Sequence, residues 1–246
     1  MKITVVIPTY NEAENLPNLV TALFSLSVTG LDILVVDDNS ADGTGQMAEE
    51  MGGKWDGRVA VIHRPGKLGL GTAYIQGFRH ALAQGADAIA QMDADFSHPP
   101  VKILELLTAV ETCDVALGSR YVPGGSLDEK WPAWRKGLSS FGNLYARTIL
   151  GLHIRDVTGG FRLWRSPTLA NLPLDRIRSN GYVFQVEMIY VAEKLGFTAS
   201  EIPIHFADRR WGKSKMNLRI QMEAALRVWM LLGMYRDLGK KPAVHV

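Results

Sequence analysis

The stretch "ADAIAQMDADFSHPP", residues 86–100, runs from apolar residues into two aspartates one residue apart, Asp93 and Asp95, and then into Pro99 and Pro100. Along a strand, residues i and i+2 project to one side, so a strand ending here aims both carboxylates at one point. Hard divalent cations want oxygen ligands, and Mg²⁺ commonly takes one or two carboxylates together with substrate phosphate oxygens. An acid/base pair is a second reading of the same groups. The third is structural: Asp95 or Ser97 caps a helix that Pro99 and Pro100 start. Alone the pattern decides nothing, since on the order of one D-x-D arises by chance in a chain of this length.

Other polar clusters invite the same question. "VDDNSADGT" (36–44) is either an Asx-rich turn with Asp42 as a helix cap, or a place where Asp37 or Asp38 accepts hydrogen bonds from a base or ribose. "GLGTAYIQG" (69–77) begins like a dinucleotide-binding turn, but Tyr74 occupies the place of the third glycine and the segment follows the third strand, not the first. A nicotinamide enzyme is therefore disfavoured. Gly69 and Gly71 then either let the backbone approach a ligand or simply start a helix. The sequence carries no phosphate-binding G-x-x-x-x-G-K-[ST], no H-E-x-x-H and no G-x-S-x-G. His98 is the one histidine near the aspartate pair; the scattered His63, His80, His153, His205 and His245 read as structural.

The elements that must position these groups are short, continuously apolar runs alternating with helical patterns. "KITVVIP", "LDILVVDD", "RVAVIH", "ADAIAQMD" and "CDVALGS" read as strands covered on both faces. Helices are expected near 13–26, 43–51, 71–83 and 101–111. This series predicts an α/β fold with a mostly parallel sheet and helices on both faces. Ligands of such sheets bind beyond the carboxyl ends of the strands, and all five predicted ends are polar. After Arg120 the pattern changes to an elaborated C-terminal third: a loop, a helix near 134–150, a short strand near 160–164, a helix near 184–195, and a strand "TASEIPIHF". The last helix, 217–235, has a narrow polar stripe of Arg219, Glu223 and Arg227, with Glu223 placed to pair with Arg227. The rest of its surface is apolar. It reads either as a core or dimer helix, or as a helix lying in a bilayer interface with Trp229, Tyr235, Arg236, Lys240 and Lys241 at the boundary.

Composition narrows the classes. The chain has 246 residues, 47% of them hydrophobic and 21% charged, as in an ordinary globular protein. A net charge of +2 is too small to argue for a nucleic-acid partner. Acids crowd the first quarter, whereas Arg209, Arg210, Lys213, Lys215, Arg236, Lys240 and Lys241 make the end basic, which suits an anionic partner there. The single cysteine, Cys113, allows no intrachain disulfide and reads as a buried strand residue of a protein in a reducing compartment. Neither a signal peptide nor a stretch of about 18 apolar residues is expected from the sequence.

Taken in order, "VVIPTYNEAENL", "LVVDDNSADGT", "HRPGKLGLGTAYIQGF", "MDADFSHPP", "LGSRYVPGG", "VTGGFRLWR", "SNGYVFQVEM" and "HFADRRWGKSKM" resemble the family-2 glycosyltransferases of GT-A fold. Within them the chain is similar to polyprenol (dolichyl) phosphate mannose synthases, over residues 1–216. The resemblance implies a GT-A domain over 1–216 and a C-terminal amphipathic helix with a basic tail over 217–246. It implies that Pro8, Tyr10, Glu12, Val36, Asp37 and Asn39 hold the nucleoside of a nucleotide sugar, with Asp38 close by and Arg64 and Lys67 bordering the pocket. Asp93, Ala94 and Asp95 match the motif that carries Mg²⁺ or Mn²⁺ and the donor diphosphate; Ser97 stands where some members have glutamine, as a third metal ligand. Arg120, Arg135 and Ser139 fall where the family binds the acceptor phosphate, and Arg209 and Lys215 match a basic loop closing over the phosphates. Asp95, Arg120, Arg135 and Arg209 are the expected catalytic residues.

The implied reaction moves mannose from GDP-mannose to a polyprenyl phosphate, with inversion, on the cytoplasmic face of a membrane to which the protein is peripheral. The residue types suit it. A phosphate monoester, with its second pKa near ~6, is anionic at neutral pH and needs no general base. Cations must offset two approaching anions, which removes the acid/base reading of Asp93 and Asp95. A UDP-glucose-dependent glucosyltransferase, a catalytically silent sugar-nucleotide-binding partner and a nucleotidyltransferase are the alternatives.

Overall fold

A computed structural model describes residues 1–208 and 218–239, with backbone only for 218–224. Five strands follow the sequence pattern closely: β1 (Ile3–Thr9), β2 (Leu31–Asp37), β3 (Val59–His63), β4 (Ala88–Gln91) and β5 (Val115–Ser119). Between them run α1 (Leu16–Phe24), α2 (Thr44–Lys54), α3 (Leu70–Ala83) and α4 (Ile103–Ala109). The rest comprises β6 (Ser126–Leu127), α5 (Ala133–Leu150), β7 (Arg162–Arg165), α6 (Ser166–Asn171), α7 (Gly181–Lys194), β8 (Ala199–Pro203), β9 (His205–Phe206) and α8 (Leu218–Met234).

Among the described residues the main sheet has seven strands in the order β3-β2-β1-β4-β7-β5-β8. Pairing is parallel except at β7, which runs antiparallel to both β4 and β5. The sheet is thus mostly parallel, with helices on both faces. Alternation divides the strand residues between two cores. Val6, Leu34, Val36 and Ile89 pack under α3 and α7, and Val5, Ile7, Ile33 and Ala90 under α1 and α4. In α1 the spacing of buried Leu16, Leu19, Val20 and Leu23 is i, i+3, i+4, i+7, with Pro17 in the first turn. Helix α7 departs from amphipathic spacing: every residue from Val183 to Ala192 is buried, because α7 lies over the sheet and is itself covered by α8.

Two local expectations change. β4 ends at Gln91, so Asp93 and Asp95 sit on the turn beyond it and are not strand neighbours at i and i+2. The stretch expected as one strand at 198–206 divides at Pro203, which has no N–H to extend the ladder; β9 then pairs with β6 in a separate ribbon. Cys113 is buried, as its apolar context implies.

Helix α8 packs on α5 and α7. It buries Val228 and Leu231, with Tyr235 in the turn just after it, and exposes Leu226, Trp229 and Met230. Tyr235, expected at a membrane boundary, is therefore a core residue: its ring lies against Tyr190 and its O–H reaches Glu187 at 2.6 Å. Glu223, Arg219, Lys240 and Lys241 lie outside the described side chains. Among the described residues no helix is long and apolar enough to cross a membrane.

Candidate active site

The carboxyl ends of β1, β2 and β4, with the segment after β5, open onto a cleft of about 570 Å³. Its walls carry Pro8, Tyr10, Glu12, Asp38, Lys67, Asp93, Ala94, Asp95, His98 and Arg120. Thr158–Gly160, Asn180–Val183, Gln185, Phe206 and Arg227 complete the lining. Parallel strands end in step, so residues distant in sequence meet at one edge.

On the β1/β2 side, the loops hold one another. The Asp37 carboxylate accepts hydrogen bonds from the Thr9 hydroxyl at 2.8 Å, the Ser40 hydroxyl at 2.5 Å and the Ser40 N–H at 2.9 Å. Asp42 accepts from the N–H groups of Ala13 and Thr44, but the cap position of α2 is Gly43, so Asp42 stands one residue before the cap expected of it. Asp37 is thus used by the scaffold and does not line the cleft; the neighbouring Asp38 does. Asp38 pairs with the buried Arg64, which reaches on to the Thr72 hydroxyl in the first turn of α3. Burial pushes the Asp38 pKa up, against the lowering effect of Arg64. Arg64 therefore stands behind the wall, while Lys67 stands in it, its ammonium 3.8 Å from the centre of the Tyr10 ring. Val36 is in the core, and Asn39 is an exposed turn residue with φ 57°.

The aspartate pair is set by a turn. The Asp95 carboxylate accepts the Ser97 N–H at 3.0 Å, across Phe96 with its left-handed φ of 61°. Neither Asp95 nor Ser97 caps the following helical turn, whose cap position is Pro99. Asp93 accepts the Tyr74 hydroxyl at 3.1 Å, and its own N–H donates to Nδ1 of His98 at 3.1 Å. A neutral His98 accepting there carries its proton on Nε2. Burial pulls the His98 pKa down, although Asp93 and Asp95 push the other way. Burial and Asp93 together raise that of Tyr74. Ser97 is buried, off the cleft, with its hydroxyl unpaired. A Cβ on Gly160 would sit 3.2 Å from Nε2 of Gln185 and 3.9 Å from the Asp93 carboxylate, so glycine keeps the floor open here.

Arg120, also on the cleft, is held by a partner that sequence reading missed. Its backbone N–H and its Nε both donate to Oδ2 of Asp156, at 2.9 and 2.7 Å, and its Nη2 to Oδ1 at 2.6 Å and to Thr158 at 2.8 Å. Burial alone would raise the Asp156 pKa; the Arg120 charge and hydrogen bonds reverse this and hold it below the usual carboxylate value. The fully buried Arg162 donates to the carbonyls of Val157, Gly159 and Gln185 and so fixes the Thr158–Gly160 wall. Burial pulls its pKa down to about 9, which leaves it charged at neutral pH.

Arg135 and Ser139 do not line the cleft. The Arg135 guanidinium stacks 3.5 Å over Trp131, close to Asp208, and Ser139 accepts the Tyr121 hydroxyl at 2.7 Å. Arg209 and Lys215 lie outside the described residues. Gly69 and Gly71 allow close packing and not ligand approach alone: a Cβ on Gly71 would lie 2.5 Å from the Ser179 carbonyl, and one on Gly69 2.8 Å from the Asn180 side chain. This contact joins the α3 start to the α7 start, both on the cleft. Arg227 belongs to the narrow polar stripe of the last helix, and nothing in the helical period reveals that it lines the cleft.

The model of the family described as Glycosyl transferase family 2 matches residues 4–171, and the chain belongs to that family: it is a glycosyltransferase. It is 45% identical over 97% of its length, and 98% of the relative's, to the undecaprenyl-phosphate mannosyltransferase of Micrococcus luteus. It is 44% identical over 93% of its length, and 87% of the relative's, to the polyprenol monophosphomannose synthase of Mycolicibacterium smegmatis. Among solved structures, glucosyl-3-phosphoglycerate synthase of Mycobacterium tuberculosis, crystallised with Mn²⁺, uridine diphosphate and glucosyl-3-phosphoglycerate, shares the fold. The TM-score is 0.65 at 18% identity, over 98% of this chain and 81% of the other.

Proposed function

We propose that this enzyme transfers mannose from GDP-mannose to the phosphate of a polyprenyl phosphate, with inversion, using a divalent cation. The observation that carries the reading is one cleft lined both by the carboxylate pair Asp93/Asp95 and by cations, including Arg120. The two relatives at 44–45% identity are named for transfer to polyprenyl phosphates, which supports the acceptor class.

The residues present fit Mg²⁺ or Mn²⁺. Asp93 and Asp95 are hard oxygen donors on one wall, and no group of three or more His, Cys, Asp or Glu among the described residues could hold an ion unaided. A cation that keeps diphosphate and water ligands needs no more than this pair. Bound there, it would neutralise the charge of the departing nucleoside diphosphate. Tyr74 and the Ser97 N–H orient the two carboxylates. The β1 and β2 loops, with Pro8, Tyr10, Glu12, Asp38 and Lys67, form the nucleoside end. Arg120, fixed by Asp156, stands on the acceptor side, where an anionic phosphate oxygen attacks the sugar carbon without a proton acceptor. Direct displacement inverts the configuration. The exposed Phe141 and Leu144 of α5 and Leu226, Trp229 and Met230 of α8 form the surface for a membrane, on its cytoplasmic face.

The test offers GDP-mannose and UDP-glucose, each radiolabelled, with a polyprenyl phosphate and Mg²⁺ or Mn²⁺. Transfer from GDP-mannose to lipid is expected. Transfer from UDP-glucose alone refutes the donor, and absence of lipid product with either refutes the reaction.

A further inference from the structure

We infer that Gln185 of α7 reads the transferred sugar: its side-chain amide donates a hydrogen bond to a hydroxyl oxygen of the donor hexose. This rests on the sugar-nucleotide reading above and assigns a residue to the sugar itself.

Gln185 is a polar residue in the stretch of α7 that is buried throughout, and it is only 2% exposed. Two paired strands hold it. Gln91, at the end of β4, stands in register with Arg162, at the start of β7. Arg162 donates from Nη1 to the Gln185 carbonyl at 2.8 Å, and Gln91 donates from Nε2 to Oε1 of Gln185 at 3.3 Å. The Oε1 of Gln91 in turn accepts the Trp164 indole N–H at 2.6 Å. An indole nitrogen can only donate, which fixes the direction of the relay. Gln91 must turn its oxygen to Trp164 and its NH₂ to Gln185.

Gln185 therefore uses its oxygen inside the protein and is left with its NH₂ group. That group donates to nothing among the described residues, and Gln185 lines the cleft. A nearly buried donor that the protein leaves unmatched fits a ligand oxygen. Glu187, two residues on, is the contrast. It is fully buried as well, but its carboxylate accepts the N–H groups of Arg178 and Ser179 and the Tyr235 hydroxyl.

Place decides which part of the donor the amide meets. A Cβ on Gly160 would lie 3.2 Å from Nε2 of Gln185, 3.5 Å from Cε1 of His98 and 3.9 Å from Oδ1 of Asp93. Glycine thus leaves a space between the amide and one carboxylate of the pair assigned to the diphosphate. The sugar is bonded to that diphosphate, whereas Pro8, Tyr10 and Lys67 form the nucleoside end. A neutral amide matches a hydroxyl oxygen there and adds no charge to the site.

The full chain in neutral detergent, with farnesyl phosphate as acceptor and Mg²⁺, tests this through Gln185→Met. The donors are GDP-mannose and analogues that each lack one sugar hydroxyl. With GDP-mannose, kcat/KM is expected to be about ten- to a hundredfold lower in the variant than in the wild type. With the one analogue that lacks the partner hydroxyl this difference vanishes, and with the others it persists. A merely structural role would slow every donor alike. GDP with Mg²⁺, which carries no sugar, binds the variant as tightly as the wild type. Gln185→Asn, whose shorter side chain stays polar, gives the same pattern where Gln185→Met leaves too little folded protein. An equal loss with every donor overturns the inference. So does a fall in GDP affinity as large as the fall in kcat/KM, which puts the amide on the diphosphate. A wild type that transfers nothing from GDP-mannose refutes the donor reading instead, and the same series with UDP-glucose and its deoxy analogues then decides the role of Gln185.

Discussion

Two acidic pairs stand at neighbouring strand ends, Asp37/Asp38 after β2 and Asp93/Asp95 after β4, and the structure uses them in opposite ways. Asp37 is taken up by Thr9 and Ser40, and Asp38 by the buried Arg64. Their charges hold loops together, and only Asp38 shows on the cleft. Asp93 and Asp95 both line it. The Tyr74 hydroxyl donates to Asp93 and the Ser97 N–H to Asp95, and each orients the carboxylate it reaches. The first pair is tied into the loops, Asp37 by hydroxyls and an N–H and Asp38 by an internal cation.

The largest expected effect comes from Asp95→Asn. If the pair holds a catalytic cation, kcat falls by about a thousandfold or more, while thermal unfolding is little changed. A chelator should do the same to the wild type, reversed by Mg²⁺ or Mn²⁺. Retained turnover in either case breaks the contrast. Next is Asp156→Asn, which strands a buried guanidinium and should cost about 3–5 kcal/mol of stability in denaturant unfolding. The sign with pH follows from the lowered Asp156 pKa. Its contribution is fully present above the unfolded value near ~4 and is lost as pH falls through the lower folded value, so the variant's stability declines less steeply on acidification. Third, Asp37→Asn should lower stability by about 1–3 kcal/mol while the folded fraction keeps most of its kcat, the reverse of Asp95→Asn. Smallest is Tyr74→Phe, which removes one donor from Asp93; a loss of kcat below about tenfold is expected, with a raised cation requirement.

Much of the first half was legible in the sequence because its information is local. Continuous apolar runs of strand length, broken by helical periods, left few alternatives to a parallel sheet, and the acidic strand ends lay where such sheets bind ligands. Less legible was whatever depends on a distant partner. Nothing in "DDNSADGT" distinguishes the scaffold role of Asp37 from the cleft position of Asp38. The buried pairing of Arg120 with Asp156 spans 36 residues, and Arg162 clamps carbonyls on two separate segments. The antiparallel insertion of β7 between β4 and β5 leaves no mark in a four-residue apolar run.

By itself the sequence determined the α/β architecture, the convergence of polar strand ends, and the family, because hydrophobic period and motif order are properties of the chain alone. Tertiary structure decided which charges are spent inside the protein and which face the cleft. It also decided that Tyr235 is a core residue and that Arg227 lines the cleft. A side chain's charge is written in the sequence, but whether it is cancelled depends on what the fold brings within a few ångströms of it.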